Sequence, residues 1–175
     1  MHPRNAKISR PAGEPGLQLA TRGDREIVLT RVFYAPRSRV FSAMTTPELL
    51  KRWLLGPPGW IMVVCDINLQ VGGTFRYVWR NADGAEMGMH DTYREIVPGE
   101  RIVNTQSFQF GCEPQSGEQL TTTVLSEELG RTTLVCTIVY PTRAAREATI
   151  ASGMERGVTA SYDRLAGLLS SAPQQ

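Results

Sequence analysis

Four polar side chains in this sequence have the chemistry to act on a small molecule or to hold one: His90, Asp91, Gln106 and Tyr162. An imidazole or a carboxylate that faces a pocket can exchange protons with a bound molecule or anchor it. His90 and Asp91 are neighbours in a stretch of period two, so they face opposite sides of a strand and cannot act as a dyad. His90 is interpreted as a partly exposed strand residue, because no serine or cysteine nucleophile is indicated beside it. We predict no catalytic residue. Whether the chain is an enzyme stays open, and the sequence favours a protein that is not one.

Asp91 has two alternative roles. It falls on the same strand face as Met89 and Tyr93. A carboxylate at this position either points to solvent or adds a polar group to the interior, where it could serve as an acid or as an anchor. We expect Gln106 to lie across the hairpin from it.

Metal, cofactor and phosphate sites are poorly supported by the sequence. Cys65, Cys112 and Cys136 are widely spaced, and the chain has no CxxC, HxxxH or HExxH pattern. The cysteines are therefore expected to be reduced and to fill space in the core. The segment 71–74 (Val-Gly-Gly-Thr) lacks the spacing of a P-loop, so we predict no cofactor and no intrinsic ATPase activity.

Aromatic residues alternate along one strand, where Phe75, Tyr77 and Trp79 share a face. Such a face can line a pocket for an apolar molecule, since ligand pockets are mostly apolar with a few polar anchors. An ordinary packed core needs the same residues, and both interpretations stay open. The predicted ligand-binding residues are Trp53, Trp60, Phe75, Tyr77, Trp79, Met89, Asp91, Tyr93, Gln106, Phe108, Met154, Val158 and Tyr162.

The elements that would position these residues follow from periodicity and turn chemistry. A β-branched strand over 25–34 precedes Pro36, and two short helical faces follow, the second with Thr46 at its N-cap and Pro47 at N1. Six strands of period two come next, with joints too short for parallel crossovers, so they are predicted to be antiparallel. Thr142 then caps one amphipathic helix of about 27 residues. The predicted strands are Ile61–Leu69, Thr74–Arg80, Glu86–Ile96, Arg101–Phe110, Gln119–Ser126 and Thr132–Tyr140.

Length, charge and hydropathy bound the class of protein. A chain of 175 residues with 41% hydrophobic residues is sufficient for one domain with its own core. Its 19 basic and 17 acidic residues are interspersed, so we expect no nucleic-acid partner. No apolar run reaches the ~18 residues of a membrane span, and no signal peptide is indicated, so we expect a cytoplasmic protein without a membrane partner. We predict a flexible arm over 1–22, one domain over 23–170 and a tail over 171–175.

From about Arg25 to Leu169 the chain resembles the START-like, helix-grip superfamily, also called SRPBCC. Within it, the chain is similar to the group named after the activator of the 90-kDa heat-shock chaperone's ATPase. The motifs that carry this likeness are Arg31-Val32-Phe33, Ala35-Pro36, Pro47-Glu48-Leu49 with Trp53, Val71-Gly72-Gly73, Tyr93-Arg94-Glu95-Ile96 and Tyr162-Asp163-Arg164-Leu165. One departure is Asp91, where family members often carry glycine.

The resemblance implies an α+β fold. Its element order is one strand, two short helices, six further strands and a long C-terminal helix. The seven strands form a curved antiparallel sheet, and the last helix packs across it. It also implies a ligand-sized interior, so we predict a protein that holds a small hydrophobic or amphipathic molecule there, as a monomer or a homodimer. The alternatives are a co-chaperone-like module that binds a chaperone, and a polyketide cyclase or hydrolase that uses Asp91, His90, Gln106 or Tyr162.

Overall fold

Strands hold more residues than helices do, as expected for a chain with long stretches in which apolar residues alternate with period two. The computed structural model describes residues 13, 15–111 and 113–171. Eight strands form one antiparallel sheet in the order β1-β2-β8-β7-β6-β5-β4-β3. The strands are β1 Gln18–Arg22, β2 Glu26–Phe33, β3 Trp60–Ile67, β4 Thr74–Asn81, β5 Glu86–Val97, β6 Arg101–Phe110, β7 Glu113–Glu128 and β8 Arg131–Val139.

The helices are α1 Arg37–Thr45, α2 Pro47–Trp53, α3 Arg143–Ala151 and α4 Met154–Ser171. Their order relative to the strands confirms the predicted helix-grip architecture, in which the last helical segment packs on the sheet. Thr142 caps α3 as predicted, since its hydroxyl accepts a hydrogen bond from the Ala145 amide at 3.0 Å. Thr46 occupies the N-cap position of α2, but its side chain makes no capping bond to any group that the structure describes.

The sheet has eight strands instead of the predicted seven, because part of the expected N-terminal arm is a strand. Residues 18–22 pair with Glu26–Thr30 through a tight turn at Gly23, which has a φ of +55°. Leu19 packs against the core, which gives this edge strand an apolar contact as well as its hydrogen bonds. Residues 1–12 and 14 of the arm, residues 172–175 of the tail, and Cys112 lie outside the described residues.

The predicted single C-terminal helix is divided in two at Ser152 and Gly153. Gly153 adopts a φ of +84°, a left-handed conformation that an α-helix cannot contain and that glycine tolerates best. The two segments then have different neighbours, since α3 packs against β7 whereas α4 packs against α1, α2 and β2. Periodicity continues through the break, which is why the sequence pattern alone predicts one helix.

The inner face of the sheet forms the core together with α1, α2 and α4. Ile27, Leu29, Arg31 and Phe33 alternate along β2 as its buried side, and the buried residues of β8 alternate in the same way. Arg31 is an exception to the apolar rule, and its guanidinium donates to the Asp163 carboxylate of α4 at 2.8 Å. Burying a charge requires such a partner, so this ion pair fixes α4 to β2, the second strand of the sheet.

Candidate binding site

The predicted lining aromatics form a packed cluster on the inner faces of β4 and β5. The ring centroid of Phe75 lies 5.2 Å from that of Tyr77 and 5.4 Å from that of Tyr93. The rings of Tyr77 and Trp79 meet edge to face, with 6.2 Å between their centroids. These are the separations of aromatic rings in direct contact. All four side chains are buried. These four predicted lining residues therefore pack against one another.

The segment that links α2 to β3 covers the same cluster. The Trp79 indole donates to the Leu54 carbonyl at 2.8 Å, and the Trp53 indole donates to the Ala43 carbonyl at 2.9 Å. Gly56 lies so close above that a Cβ there would be 2.8 Å from the Met87 methyl and 3.2 Å from the Trp79 ring. Glycine is required at position 56, which also has a φ of +75°.

Tyr162 joins α4 to the core on the opposite side of this cluster. Its ring contacts Phe33 at 5.8 Å and Trp53 at 6.2 Å. Burial raises the pKa of its phenol far above the ordinary value, with Cys136 raising it further and Arg31 opposing the shift. Tyr162 therefore stays a neutral phenol.

Two further buried phenols, Tyr77 and Tyr93, lie next to each other and to Cys65. Burial raises the pKa of both phenols and of the Cys65 thiol. A thiol with a raised pKa is a poor nucleophile, because the thiolate is the reactive form. Burial likewise raises the pKa of Cys136 to about 11, while a hydrogen bond with Thr123 opposes the shift. Neither buried cysteine is poised for catalysis.

The remaining predicted residues are only half-buried, although the apolar ones among them pack against the core. Met89 and Phe108 are paired across β5 and β6 on the face that also carries Tyr77. On the helical side, Met154 and Val158 occupy the first turns of α4. Trp60 contacts Phe110 at 6.1 Å at one end of the sheet, and Gln106 pairs with Gln119 of β7. The structure thus separates a closed aromatic core from a half-open set of mixed polarity.

Next to this half-open set lies a polar strip that the sequence interpretation did not identify. It consists of Asn104 of β6 with Gln119, Thr121 and Thr123 of β7, all at least nine-tenths buried. Asn104 pairs with Thr121, and Thr121 pairs on its other side with Ile138, a core residue, so the strip faces inward. The segment 119–125 reads Gln-Leu-Thr-Thr-Thr-Val-Leu, in which consecutive threonines hide the inward alternation. Only the register shows which threonines are buried.

Asp91 is half-buried and fully engaged by the neighbouring strand. Its two carboxylate oxygens accept hydrogen bonds from the Thr105 hydroxyl at 2.6 Å and from the Ser107 hydroxyl at 3.0 Å. These bonds account for a carboxylate at a half-buried position. His90 pairs with Arg76 and Ser107 in the strand register and is half-buried.

Two shallow depressions are present on the surface. One, of about 250 Å³, lies at the turn between β1 and β2 and is lined by Arg22 to Glu26. The other, of about 150 Å³, lies over Gly88 between Arg76, His90 and Gln109. Neither lies between the sheet and the C-terminal helices, where the sequence led us to expect an open space.

Within the described residues, no three His, Cys, Asp or Glu side chains gather where they could hold a metal ion. None of the helices formed by these residues has the length and hydropathy needed to span a membrane.

Residues 34–170 match the family described as "Activator of Hsp90 ATPase homolog 1-like protein". The chain belongs to this family. Solved structures share its fold. A protein from Rhodobacter sphaeroides is 28% identical, with a TM-score of 0.83 over 89% of this chain and 99% of that one. Protein CV1439 from Chromobacterium violaceum is 28% identical, with a TM-score of 0.68 over 84% of this chain and 99% of that one.

Protein Ms6760 from Mycobacterium smegmatis is 19% identical, with a TM-score of 0.78 over 91% of this chain and 100% of that one, and shares the fold. No curated protein matches the chain significantly. The family and its fold are therefore shown, and the predicted resemblance is confirmed. As a member of the activator-homologue family with a helix-grip fold, the chain is a module of the ligand-binding or co-chaperone type.

Proposed function

We propose that the protein binds a small amphipathic molecule between the inner face of β5–β7 and the segment formed by α3 and α4. The observation that carries the proposal is the half-exposure of Met89, Phe108, Met154 and Val158. These side chains pack against the core on its inner side, where a completed core would cover them. A ligand that covers this exposed apolar surface makes the free energy of binding more favourable, by about 25 cal/mol for each Å² removed from water.

Binding requires movement, because both surface depressions lie outside this region. The break at Gly153 allows such movement. α3 packs on β7 and against α4, whereas the Arg31–Asp163 ion pair joins β2 to α4, so a shift of α3 moves neither member of the pair. Thioether side chains such as Met89 and Met154 adapt readily to a guest molecule.

The proposal is tested by thermal shift and native mass spectrometry with dodecanol and naphthol as probes. A probe present at a hundred times its dissociation constant stabilises the fold by about 2.7 kcal/mol. For a chain of this size we expect a rise of about 5–11 °C in Tm. If neither probe raises Tm or remains bound in the mass spectrum, the proposal is wrong.

A matched pair of variants locates the site. Val158→Trp places a large ring in the half-open region and is expected to abolish binding. Arg156→Trp adds the same ring to an exposed position of α4 two residues away and is expected to bind as wild type does. Equal binding by both variants would place the ligand elsewhere on the molecule.

A co-chaperone role is the second candidate, and the family description, which names a chaperone ATPase activator, favours it. It predicts that the purified chain accelerates ATP hydrolysis by a 90-kDa heat-shock chaperone. Absence of stimulation at a molar excess of the chain rejects this role and leaves ligand binding unaffected.

A further inference from the structure

The hydroxyl of Thr121 is the least satisfied polar group of the inner sheet face. Thr121 is 7% exposed, and its oxygen is buried without a hydrogen-bond partner among the residues that the structure describes. Buried hydroxyls in folded proteins nearly always have a partner, because an unpaired one loses its hydrogen bonds to water on folding. The Thr121 hydroxyl therefore has a donor and an acceptor that no described residue uses.

Its neighbours are polar but neutral. Asn104 and Gln119 flank Thr121 on the same face, and Gln106 pairs with Gln119. The Asn104 amide donates to the Thr105 carbonyl at 2.9 Å. An amide and a hydroxyl together can both donate to and accept from a bound group.

The four residues of the polar strip carry no charge. Arg146 Nε and Arg164 Nη1 are buried without a partner among the described residues, but neither residue belongs to the strip. Arg31 donates to Asp163, and Arg146 of α3 donates to Glu147 and to the Gly23 carbonyl. A ligand carboxylate at the polar strip would have to leave water without a counter-charge, which is strongly unfavourable. An uncharged group that forms hydrogen bonds carries no such penalty.

We propose that Thr121 is the polar anchor of the site and that the ligand's buried end is an uncharged hydroxyl, carbonyl or amide group. This inference rests on the proposed function and specifies the chemistry of its ligand. The apolar body of the ligand extends from this anchor toward Met89, Phe108 and Val158. The anchor lies on β7, the strand against which α3 packs.

The test compares dodecanol with dodecanoate, which share a chain and differ in headgroup charge at about pH 8. We expect dodecanol to bind at least about tenfold more tightly, which corresponds to about 1.4 kcal/mol. Thr121→Val keeps the shape of the side chain and removes the hydroxyl; it is expected to weaken dodecanol binding about tenfold and to leave Tm equal or higher. Thr122→Val, one residue away on the outer face, is the matched control and is expected to bind as wild type does.

Two results would overturn the inference. Tighter binding of dodecanoate than of dodecanol would show that the site takes an anion. Unchanged dodecanol affinity in Thr121→Val, together with a lower Tm, would show that the hydroxyl serves the fold through a buried water. Both results require that a probe binds, so they are distinct from failure of the proposed function, in which neither probe binds wild type.

Discussion

The Arg31–Asp163 ion pair gives the most direct test of how α4 is held on the sheet. The Arg31 side chain is fully buried, the Asp163 side chain is 25% exposed, and 2.8 Å separates Nη1 from Oδ1. The Arg31 guanidinium also lies 5.5 Å from the centre of the Phe33 ring. Replacing Asp163 by alanine leaves a charged guanidinium in the core with one carboxylate fewer.

Loss of one partner of a buried ion pair costs about 3–5 kcal/mol. We expect the lower end, about 3 kcal/mol, because Asp163 retains partial contact with water. For a chain of this size this lowers Tm by about 6–12 °C. With a urea m-value of about 2 kcal/mol/M, the midpoint falls by about 1.5 M.

Urea unfolding at neutral pH, followed by circular dichroism, measures this change in the free energy of unfolding. Arg31→Met, alone and combined with Asp163→Ala, completes a double-mutant cycle. The double variant is expected to be more stable than the sum of the single losses predicts, by about 1–3 kcal/mol. Glu95→Ala is the control, since the Glu95–Arg101 pair lies at 3.1 Å on the surface and its loss is expected to cost no more than about 1 kcal/mol.

A decrease of less than about 1 kcal/mol in the free energy of unfolding of Asp163→Ala would refute the reasoning. The buried pair would then stabilise the fold no more than a surface ion pair does. Additive losses in the cycle would refute it as well. They would show that Arg31 and Asp163 stabilise the fold through separate contacts.

Three further predictions concern the glycines and the buried thiol. Gly157→Ala is expected to raise the free energy of unfolding by about 1 kcal/mol, since Gly157 lies within α4 and a Cβ there meets no atom within 4 Å; thermal unfolding should show a higher Tm. Gly73→Ala is expected to cost about 3 kcal/mol or more, because its Cβ would lie 2.1 Å from the Asn68 carbonyl oxygen; urea unfolding measures this, and a neutral result would contradict the loop geometry. Because burial raises the pKa of Cys136 from 9.0 to about 11, the unfolded chain releases this proton first as pH rises. The stabilisation is therefore complete below pH 9 and is lost between pH 9 and pH 11, on the order of 2–3 kcal/mol from this thiol. Cys136→Ala should show a correspondingly shallower decline, and parallel curves for both proteins would contradict the assignment.

Local chemistry in the sequence predicts much of the fold. Pro47 at the start of α2, the Thr142 cap and the short joints between strands each act within a few residues, and their predicted consequences appear in the structure. Strand β1 was missed because Gln18–Arg22 has only a short, largely exposed pattern, and its pairing with β2 supplies the rest of its stability. The break at Gly153 is not predicted, because a glycine within a helical pattern does not by itself indicate a left-handed conformation.

The candidate site was less predictable, because it depends on contacts between distant residues. Phe75 and Tyr77 have the same spacing whether they line a space or fill it, and the sequence alone does not show that their rings contact each other. The direction of Asp91 is set by Thr105 and Ser107 on the next strand, fourteen and sixteen residues away. The burial of Thr121 depends on register, since a shift of one residue would exchange it with Thr122.

The division of the C-terminal segment at Gly153 has a consequence for how the domain opens. Tyr140 hydrogen-bonds with Thr149 of α3 and approaches Met154 of α4, so one phenol touches both segments. Amide protons of α3 can therefore exchange with solvent in a small opening event that leaves those of α4 protected. Opening of this kind breaks only the contacts of the nine residues of α3 and of Tyr140. Its free-energy cost is therefore well below that of unfolding the whole domain.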